Sequence, residues 1–244
     1  MSKFCLTMGW DDVPHLDEKS KADMLAALPP FQRDARSKGI PQLGSGAIYP
    51  VEEHVFLTDD FELPEHWLKI YGMDVGWNRT ASAWGAVDRE SDCVYIYSEH
   101  YLGGVEPAIH AQAIRARGEW IPGVIDPAAR GRAQMDGSQL MQTYIDLGLL
   151  LDKAINAREA GIYAVWQRLS SGRLKIFKSL RNLRSELRLY RRDEKGHVVK
   201  ENDHLMDALR YLIMGLDHAK IKPQLKKKEV DIFAGSGSSG GWMG

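Results

Sequence analysis

Short apolar runs and amphipathic stretches alternate through the middle of this chain, and this alternation limits the folds available to it. Three apolar runs come first, and the turn 88–92 between the second and third is entirely polar. The pattern predicts strands at 68–75, 81–87, 93–101, 123–126 and 174–177, and helices at 107–118, 137–147, 157–169, 180–190 and 203–218. This order is typical of an α/β fold in which a mixed central sheet is flanked by helices.

The two ends of the chain lack this periodicity. Six of the ten prolines fall within residues 1–66, where they interrupt the apolar runs, and only 17–28 has the pattern of a helix. From residue 220 onward a lysine run is followed by glycine and serine, a composition that buries too little apolar surface to fold. We therefore predict an irregular arm at 1–66, one domain at 67–219 and a disordered Lys/Gly/Ser-rich tail at 220–244.

Composition disfavours several classes of protein. Hydrophobic residues make up 44% of the 244 residues and charged residues 27%, which is ordinary for a globular domain. No apolar run approaches the roughly 18 residues that a membrane-spanning helix requires, so we expect no membrane association. The two cysteines, Cys5 and Cys93, are too few for a disulfide framework and form no metal-binding pair, which indicates a reducing compartment.

Two carboxylates stand at the ends of apolar strands. Asp74 ends the first predicted strand and is followed by Gly76, which allows a close backbone turn or the approach of a ligand. Asp126 ends the short apolar run 123–125 in the same way. Either residue alone could be a turn former. Because strand ends of one sheet gather at an edge, the two together predict a pair of carboxylates in one place.

The closing helix supplies two more carboxylates. A leucine stripe at 205, 209, 212 and 216 has helical spacing and should pack on the sheet. Asp203 and Asp207 are four residues apart and share a face, where two like charges disfavour a helix unless a cation lies between them. Asp203 is near the helix N-terminus and could act as its cap, whereas Asp207 has no such role. We therefore expect Asp207 to be the better ligand, with Asp203 as ligand or cap.

These four carboxylates have the chemistry of a hard-cation site. Divalent ions such as Mg²⁺ and Mn²⁺ prefer oxygen ligands, and paired ions activate water and stabilise the leaving oxygen of a phosphodiester. Asp74, Asp126 and Asp207, with Asp203, would form an all-oxygen site for one or two Mg²⁺ or Mn²⁺ ions. Glu99, at the end of the third strand, is either a further carboxylate of this site or a surface residue. Asp11, Asp12 and His15 could form a second cluster, but their proline-rich setting favours a contact within the arm.

The same residues resemble a known family. A strand ending in Asp-x-Gly at 74–76, the strand-end Asp126 and Asp-His-x-x-Asp-Ala-x-Arg-Tyr at 203–211 are similar to the nuclease domain of tailed-bacteriophage terminase large subunits. The similarity covers about 68–218, including Glu186, Tyr190 and the charged hairpin 193–196. Segments 9–16 and 39–46 resemble the part that joins the ATPase core to the nuclease in that family. No Gly-x-x-x-x-Gly-Lys-[Ser/Thr] loop occurs, so the resemblance implies that the ATPase domain is missing from this chain.

The resemblance implies an RNase H-like fold and a metal-dependent endonuclease that cuts concatemeric viral double-stranded DNA during genome packaging.

 
The resemblance implies that Asp74 bridges two Mg²⁺ or Mn²⁺ ions and that Asp126 and Asp207 complete the site. Asp203 would bind an ion or orient another ligand. The implied partners are viral DNA, the terminase small subunit and the portal protein, and the implied location is the cytoplasm of the bacterial host, transiently on the procapsid portal.

Two other functions stay open at this point. Another RNase H-like nuclease, such as a Holliday-junction resolvase or a transposase-type enzyme, would use the same carboxylates. Alternatively, the chain could be a catalytically silent docking module that binds the portal or the small subunit through the acidic residues of its arm.

Charge is distributed unevenly along the chain. The formal net charge is -1, but 153–200 holds thirteen Lys and Arg residues against four acids, so this segment carries +9. Such a segment suits a surface that follows a phosphate backbone. Lys200, just before the closing helix, could be a counter-charge for the carboxylates or contact the scissile phosphate. The candidate DNA-binding residues are Lys175, Lys178, Arg181, Arg184 and Lys200, with Arg168, Arg173 and Arg188 as further members of the segment.

Overall fold

A seven-stranded mixed sheet forms the centre of the molecule. The computed structural model describes residues 9–27, 37–38, 46–126, 137–193 and 195–223. The strands lie in the order β1-β7-β4-β3-β2-β5-β6, so the predicted mixed sheet with flanking helices is confirmed. The strands are β1 (Leu57–Thr58), β2 (Leu68–Asp74), β3 (Thr80–Asp88), β4 (Cys93–Leu102), β5 (Gly123–Ile125), β6 (Leu151–Lys153) and β7 (Leu174–Phe177).

Helices pack on the sheet and complete the core. The described α-helices are α1 (Glu18–Ala27), α2 (Glu53–Phe56), α3 (Pro107–Arg115), α4 (Gly137–Asp146), α5 (Arg158–Ser170), α6 (Arg181–Leu189) and α7 (His204–Met214). The closing helix is shorter than its pattern predicts, because the chain turns at Gly215 into a 3₁₀ turn, Leu216–His218. Among the described residues no helix is both long and apolar enough to cross a membrane.

The strand directions bring the C-terminal ends of six of the seven strands to one edge of the sheet. β2, β3 and β4 are antiparallel neighbours, whereas β5 and β6 continue parallel to β2, and β7 and β1 continue parallel to β4. All strands except β3 therefore end at the same edge, which we call the carboxyl edge. Side chains that follow β2, β4, β5 and β7 in sequence consequently lie along one side of the molecule.

Part of the arm joins the sheet. Residues 1–66 were expected to be irregular beyond 17–28, yet α2 and β1 form at 53–58, and β1 pairs with β7 as the edge strand. Two residues of strand are too short to give a period-2 signal, which explains why sequence patterns miss β1; the exposed β6 was missed for the same reason. Of the predicted tail at 220–244, residues 220–223 are described, and Lys220 forms a bridge with Lys69 of β2. Residues 224–244, the segment 39–45 and residues 127–136 lie outside the described residues.

Helix α7 contacts the sheet through a glycine. It packs across β2 and β3, and the backbone of the helix reaches the backbone of the strand at Gly72. A Cβ at Gly72 would overlap the carbonyl oxygen of Ala208 and lie 2.8 Å from the backbone nitrogen of Leu212. The absence of a side chain at residue 72 therefore sets how close the helix, and the carboxylates it carries, come to the strand.

Two histidines, one on β4 and one on α3, are buried against each other. The Nε2 atom of His100 on β4 lies 2.9 Å from Nδ1 of His110 on α3. Burial lowers the pKa of His100 to about 4, and the nearby His110 and Arg117 act in the same direction. Both rings are therefore neutral in the folded protein at neutral pH, with one nitrogen donating to the other.

Acidification is expected to destabilise the domain through this pair. Because the pKa of folded His100 lies near 4 rather than at the ordinary 6.5, the unfolded chain takes up the proton first. The free energy of unfolding should therefore fall as pH drops from 6.5 towards 4, by at most roughly 3 kcal/mol. Urea denaturation of the wild type and of His100→Gln across this range measures the effect. An identical pH slope in the two proteins would contradict the assignment.

Candidate active site

Asp74 and Asp126 meet at the carboxyl edge, as their strand-end positions predict. Asp74 is the last residue of β2 and Asp126 follows β5, the parallel neighbour of β2. Met73 stands opposite Ile125 in the register, and the backbone N–H of Asp126 extends the ladder to the carbonyl oxygen of Met73 at 3.4 Å. Adjacent strands lie about 4.8 Å apart, so the two carboxylates are neighbours.

Asp203 and Asp207 reach the same edge from α7. Asp203 precedes the helix, Asp207 lies in its first turn, and both are buried. The two are joined through the backbone, since the N–H of Asp207 donates to the carbonyl oxygen of Asp203 at 2.8 Å. Asp74 interacts electrostatically with both Asp207 and Asp126, and Asp203 interacts with Asp207. The structure thus brings the four predicted carboxylates into one cluster.

Burial makes negative charge costly in this cluster. It raises the pKa of Asp74 above its usual range, and the neighbouring carboxylates add to the increase, while the hydrogen bond from His204 opposes it. Burial likewise raises the pKa of Asp203, with Asp207 contributing in the same direction. Carboxylates whose pKa is raised by burial and by a neighbouring carboxylate are the arrangement that a divalent cation would stabilise.

Asp207 has two arginine partners that sequence reasoning missed. Its Oδ1 atom accepts hydrogen bonds from Nε and Nη2 of Arg210 at 3.3 and 3.0 Å, and its Oδ2 lies 3.3 Å from Nη2 of Arg158. The expectation that Asp207 lacks a structural partner is therefore wrong. Arg210 was visible in the helix pattern at i+3, but the position of Arg158 follows only from how α5 packs against α7.

His204 is a second residue of the closing-helix motif to which the sequence pattern assigned no role. Its Nδ1 atom lies 2.8 Å from Oδ2 of Asp74, and this hydrogen bond is the main cause of the raised pKa of His204. The histidine holds the Asp74 carboxylate from the side of α7. Its place beside Asp203 in the motif was the only available signal, because a helix pattern does not show which strand end a side chain reaches.

The helix cap is Glu186 rather than Asp203. Asp203 occupies the N-cap position, but its side chain makes no capping hydrogen bond. Instead, the buried Glu186 on α6 accepts a hydrogen bond from the backbone N–H of Leu205 at 2.6 Å through Oε2. Burial raises the pKa of Glu186, while this hydrogen bond favours its charged form. The capping role predicted for Asp203 is thus filled by another residue, and the Asp203 carboxylate does not serve the helix.

Two other predicted candidates have local structural roles. Glu99 does not join the cluster as a free carboxylate: it accepts hydrogen bonds from the backbone N–H groups of Asn182 and Leu183 at 3.0 and 2.8 Å and so caps α6. Asp12 accepts from the backbone N–H of Gly9, and Asp11 pairs with Lys21. These contacts agree with the interpretation of the Asp11, Asp12 and His15 group as part of the arm.

Several residues of the basic segment are already paired with acids. Lys178 bonds Asp59 at 2.7 Å, Arg184 lies 3.6 Å from Glu53, and Lys175 donates to the carbonyl oxygen of Val55. Arg168 and Arg173 pair with Asp92, and Arg188 pairs with Glu53. Arg181 and Lys200 are exposed, and no ion pair of theirs is seen among the described residues. The positive charge of the segment is therefore partly neutralised by the region 53–60.

Lys200 does not take the predicted role of counter-charge. It lies exposed in the loop before α7, whereas Arg158, Arg210 and His204 contact the carboxylates directly. Within the described residues no three His, Cys, Asp or Glu side chains converge closely enough to hold one ion as they stand. The donor chemistry fits hard cations, since Asp74, Asp126, Asp203 and Asp207 offer only oxygen atoms. The arginines and His204 balance part of their charge.

A mixed sheet of this order, with carboxylates at its carboxyl edge and on a helix laid across it, defines an RNase H-like nuclease domain. The family model described as the Terminase RNaseH-like domain matches residues 71–216. The chain therefore belongs to this family of terminase large subunits.

Individual relatives agree with this assignment. The terminase large subunit of Salmonella phage P22 is 32% identical over 235 residues, which cover 91% of this chain and 46% of that protein. The structure of the P22 large terminase nuclease domain matches with a TM-score of 0.68 and 30% identity, over 73% of this chain and 96% of that chain. The terminase nuclease of thermophilic phage G20c with bound magnesium shares the fold at 13% identity and a TM-score of 0.51, over 70% of this chain and 98% of that chain. The chain spans about half the length of the curated relatives it matches.

Proposed function

We propose that this chain is a metal-dependent endonuclease that cuts concatemeric viral double-stranded DNA during genome packaging. The observation that carries the proposal is the cluster of Asp74, Asp126, Asp203 and Asp207, which two strand ends and one helix bring to the carboxyl edge. The terminase nuclease of thermophilic phage G20c, which shares the fold, has bound magnesium, and this supports divalent-ion chemistry in the present chain.

The residues present could hold one or two Mg²⁺ or Mn²⁺ ions. Bound ions would supply an activated water and stabilise the charge that develops on the scissile phosphate. Asp74 interacts electrostatically with both Asp126 and Asp207 and would be the shared ligand, while Asp203 would add oxygen atoms from the start of α7. His204 orients Asp74, and Arg210 orients Asp207. Glu186 holds the first turn of the helix that carries both helical carboxylates.

Plasmid cleavage in Mg²⁺, in Mn²⁺ and in EDTA tests the proposal. We expect linear product with either metal and intact supercoiled plasmid in EDTA. Cleavage of a branched substrate much faster than of linear duplex would favour a resolvase instead. Binding to a portal or small subunit without cleavage under any metal condition would favour the docking module.

The proposed partners follow from the same function. We propose viral double-stranded DNA as substrate, and the terminase small subunit, the portal protein and an ATPase domain as partners in the packaging motor. The proposed location is the cytoplasm of the bacterial host, transiently at the procapsid portal.

Reversing the charge of Arg181 should weaken DNA binding without sequence preference. Arg181 begins α6 just after β7, is exposed, and lies along the carboxyl edge where a duplex would pass. Its contact with a phosphate would be electrostatic, so Arg181→Glu should lower the affinity for unrelated duplexes alike and reduce the salt slope by about one. Fluorescence anisotropy at several salt concentrations measures both quantities.

Arg89 offers the matched control. It is also exposed, but it lies in the turn between β3 and β4 at the opposite edge of the sheet. Arg89→Glu should leave affinity nearly unchanged. Equal losses in the two variants would show that only net charge matters, and would remove Arg181 from the proposed interface.

A further inference from the structure

Two arginines contact Asp207, and they differ in how firmly they are held. Arg210 is fully buried, with 1% of its side chain exposed, and it bonds Oδ1 of Asp207 through two nitrogen atoms. Arg158 lies at the other oxygen, Oδ2, through one nitrogen at 3.3 Å, and 31% of its side chain is exposed. Oδ1 thus accepts two hydrogen bonds from Arg210, whereas Oδ2 has a single contact with Arg158.

Arg210 cannot readily leave its position. Gly161 of α5 faces it so closely that a Cβ there would lie 2.6 Å from Cδ of Arg210. Its guanidinium also lies over the ring of Tyr211, 4.4 Å from the centroid. Since Arg210 is enclosed on these sides, it supplies a permanent counter-charge to Asp207. The charge balance of Asp207 therefore does not depend on Arg158.

Arg158 lies at the start of a helix, next to an exposed segment. It is the first residue of α5, and the residues before it, 155–157, are exposed. Nδ2 of Asn156 in the same segment lies 3.5 Å from Oδ1 of Asp126. The segment 156–158 therefore contacts the carboxylate that follows β5 and a carboxylate of α7.

We propose that Arg158 is a phosphate-contacting residue that exchanges Oδ2 of Asp207 for the DNA backbone when that oxygen binds a metal ion. This inference rests on the proposed function. A divalent cation bound at Oδ2 would weaken the contact of the guanidinium with that oxygen, because the two positive charges repel. Arg158 is the partner free to move, and outside Asp207 it meets solvent, where a phosphodiester would lie. A guanidinium matches two phosphate oxygens with parallel hydrogen bonds, which a lysine cannot do.

Arg158→Gln separates metal binding from phosphate contact. Without DNA, calorimetric titration with Mn²⁺ should show affinity equal to or higher than that of the wild type, because the competing cation has been removed. Single-turnover cleavage at saturating Mn²⁺ should fall by about 100-fold, as expected for the loss of one cationic contact to the reacting group. Arg158→Lys should recover part of the rate, since it restores the charge but not the paired hydrogen bonds.

Arg192→Gln is the matched control. Arg192 also has 31% of its side chain exposed and forms an ion pair, with Glu159, but it does not contact the carboxylate cluster. It should change neither Mn²⁺ binding nor the cleavage rate.

The outcomes distinguish this inference from the proposed function. Weaker Mn²⁺ binding by Arg158→Gln, or an unchanged cleavage rate, would overturn the role of Arg158 while leaving a wild-type nuclease intact. A wild-type protein that neither binds Mn²⁺ nor cuts DNA would overturn the proposed function and this inference with it.

Discussion

Asp74→Ala should abolish DNA cleavage, with a loss of about a thousand-fold or more. Asp74 interacts electrostatically with Asp126 and Asp207 and is held by His204, so its removal takes away the carboxylate proposed to be shared by the metal ions. Because burial disfavours its charge, the variant should stay folded in EDTA, with a melting temperature no lower than that of the wild type. Plasmid cleavage in Mn²⁺ and thermal melting followed by circular dichroism measure the two effects.

Asp59→Ala is the control for this change. Asp59 follows β1 at the same carboxyl edge, but it is exposed and pairs with Lys178 at the surface. Its removal should leave cleavage within a few-fold of the wild type. Wild-type nicking by Asp74→Ala would overturn the assignment of the active site.

Gly72→Ala should destabilise the domain and remove activity together. The new methyl group would overlap the backbone of Ala208, and backbone atoms in the middle of a helix cannot shift as a side chain can. Helix α7 would have to move away from β2, and Asp203 and Asp207 would move with it. Overpacking of this kind costs roughly 3 kcal/mol. Chemical denaturation and a cleavage assay on the remaining folded protein would measure both losses.

Gly85→Ala is the control for this change, because it adds a methyl group that would meet a side chain and not the backbone of α7. Gly85 lies on β3 under the same helix, and a Cβ there would be 3.0 and 3.1 Å from the Cδ atoms of Leu212. A side chain can adjust its rotamer, so this variant should lose less stability and keep activity. Equal destabilisation by both substitutions would contradict the view that the approach of α7 at Gly72 positions the helical carboxylates.

The sequence predicted the positions of the four carboxylates in strands and helix, but not which residue caps α7. The strand ends at Asp74 and Asp126 and the helix with Asp203 and Asp207 were predictable, because apolar periodicity shows where an element ends and which residues share a face. The cap on α7 was not, because Glu186 lies 19 residues before the N–H it accepts from, on another helix. A capping residue was sought in the sequence next to the helix, where most caps occur.

The basic segment shows the same limit. Its formal charge of +9 follows directly from the sequence, but the sequence does not show which of these Lys and Arg side chains form ion pairs with acids elsewhere in the fold. Asp59 and Lys178 are 119 residues apart and meet only because β1 and β7 lie side by side. Arg181 and Lys200 are left exposed, so fewer of the candidates are available to a phosphate backbone than the count implied.

By itself the sequence determined the mixed sheet, the order of its main elements and the four carboxylates, since these depend on local periodicity and on where apolar runs stop. Only the tertiary structure decided which cations from other parts of the fold face those carboxylates. Arg158 reaches Asp207 because α5 and α7 cross near Gly161, and His204 reaches Asp74 because α7 crosses β2 at Gly72. Such contacts join residues up to 130 positions apart, and their distances are set by packing between elements rather than by spacing within one.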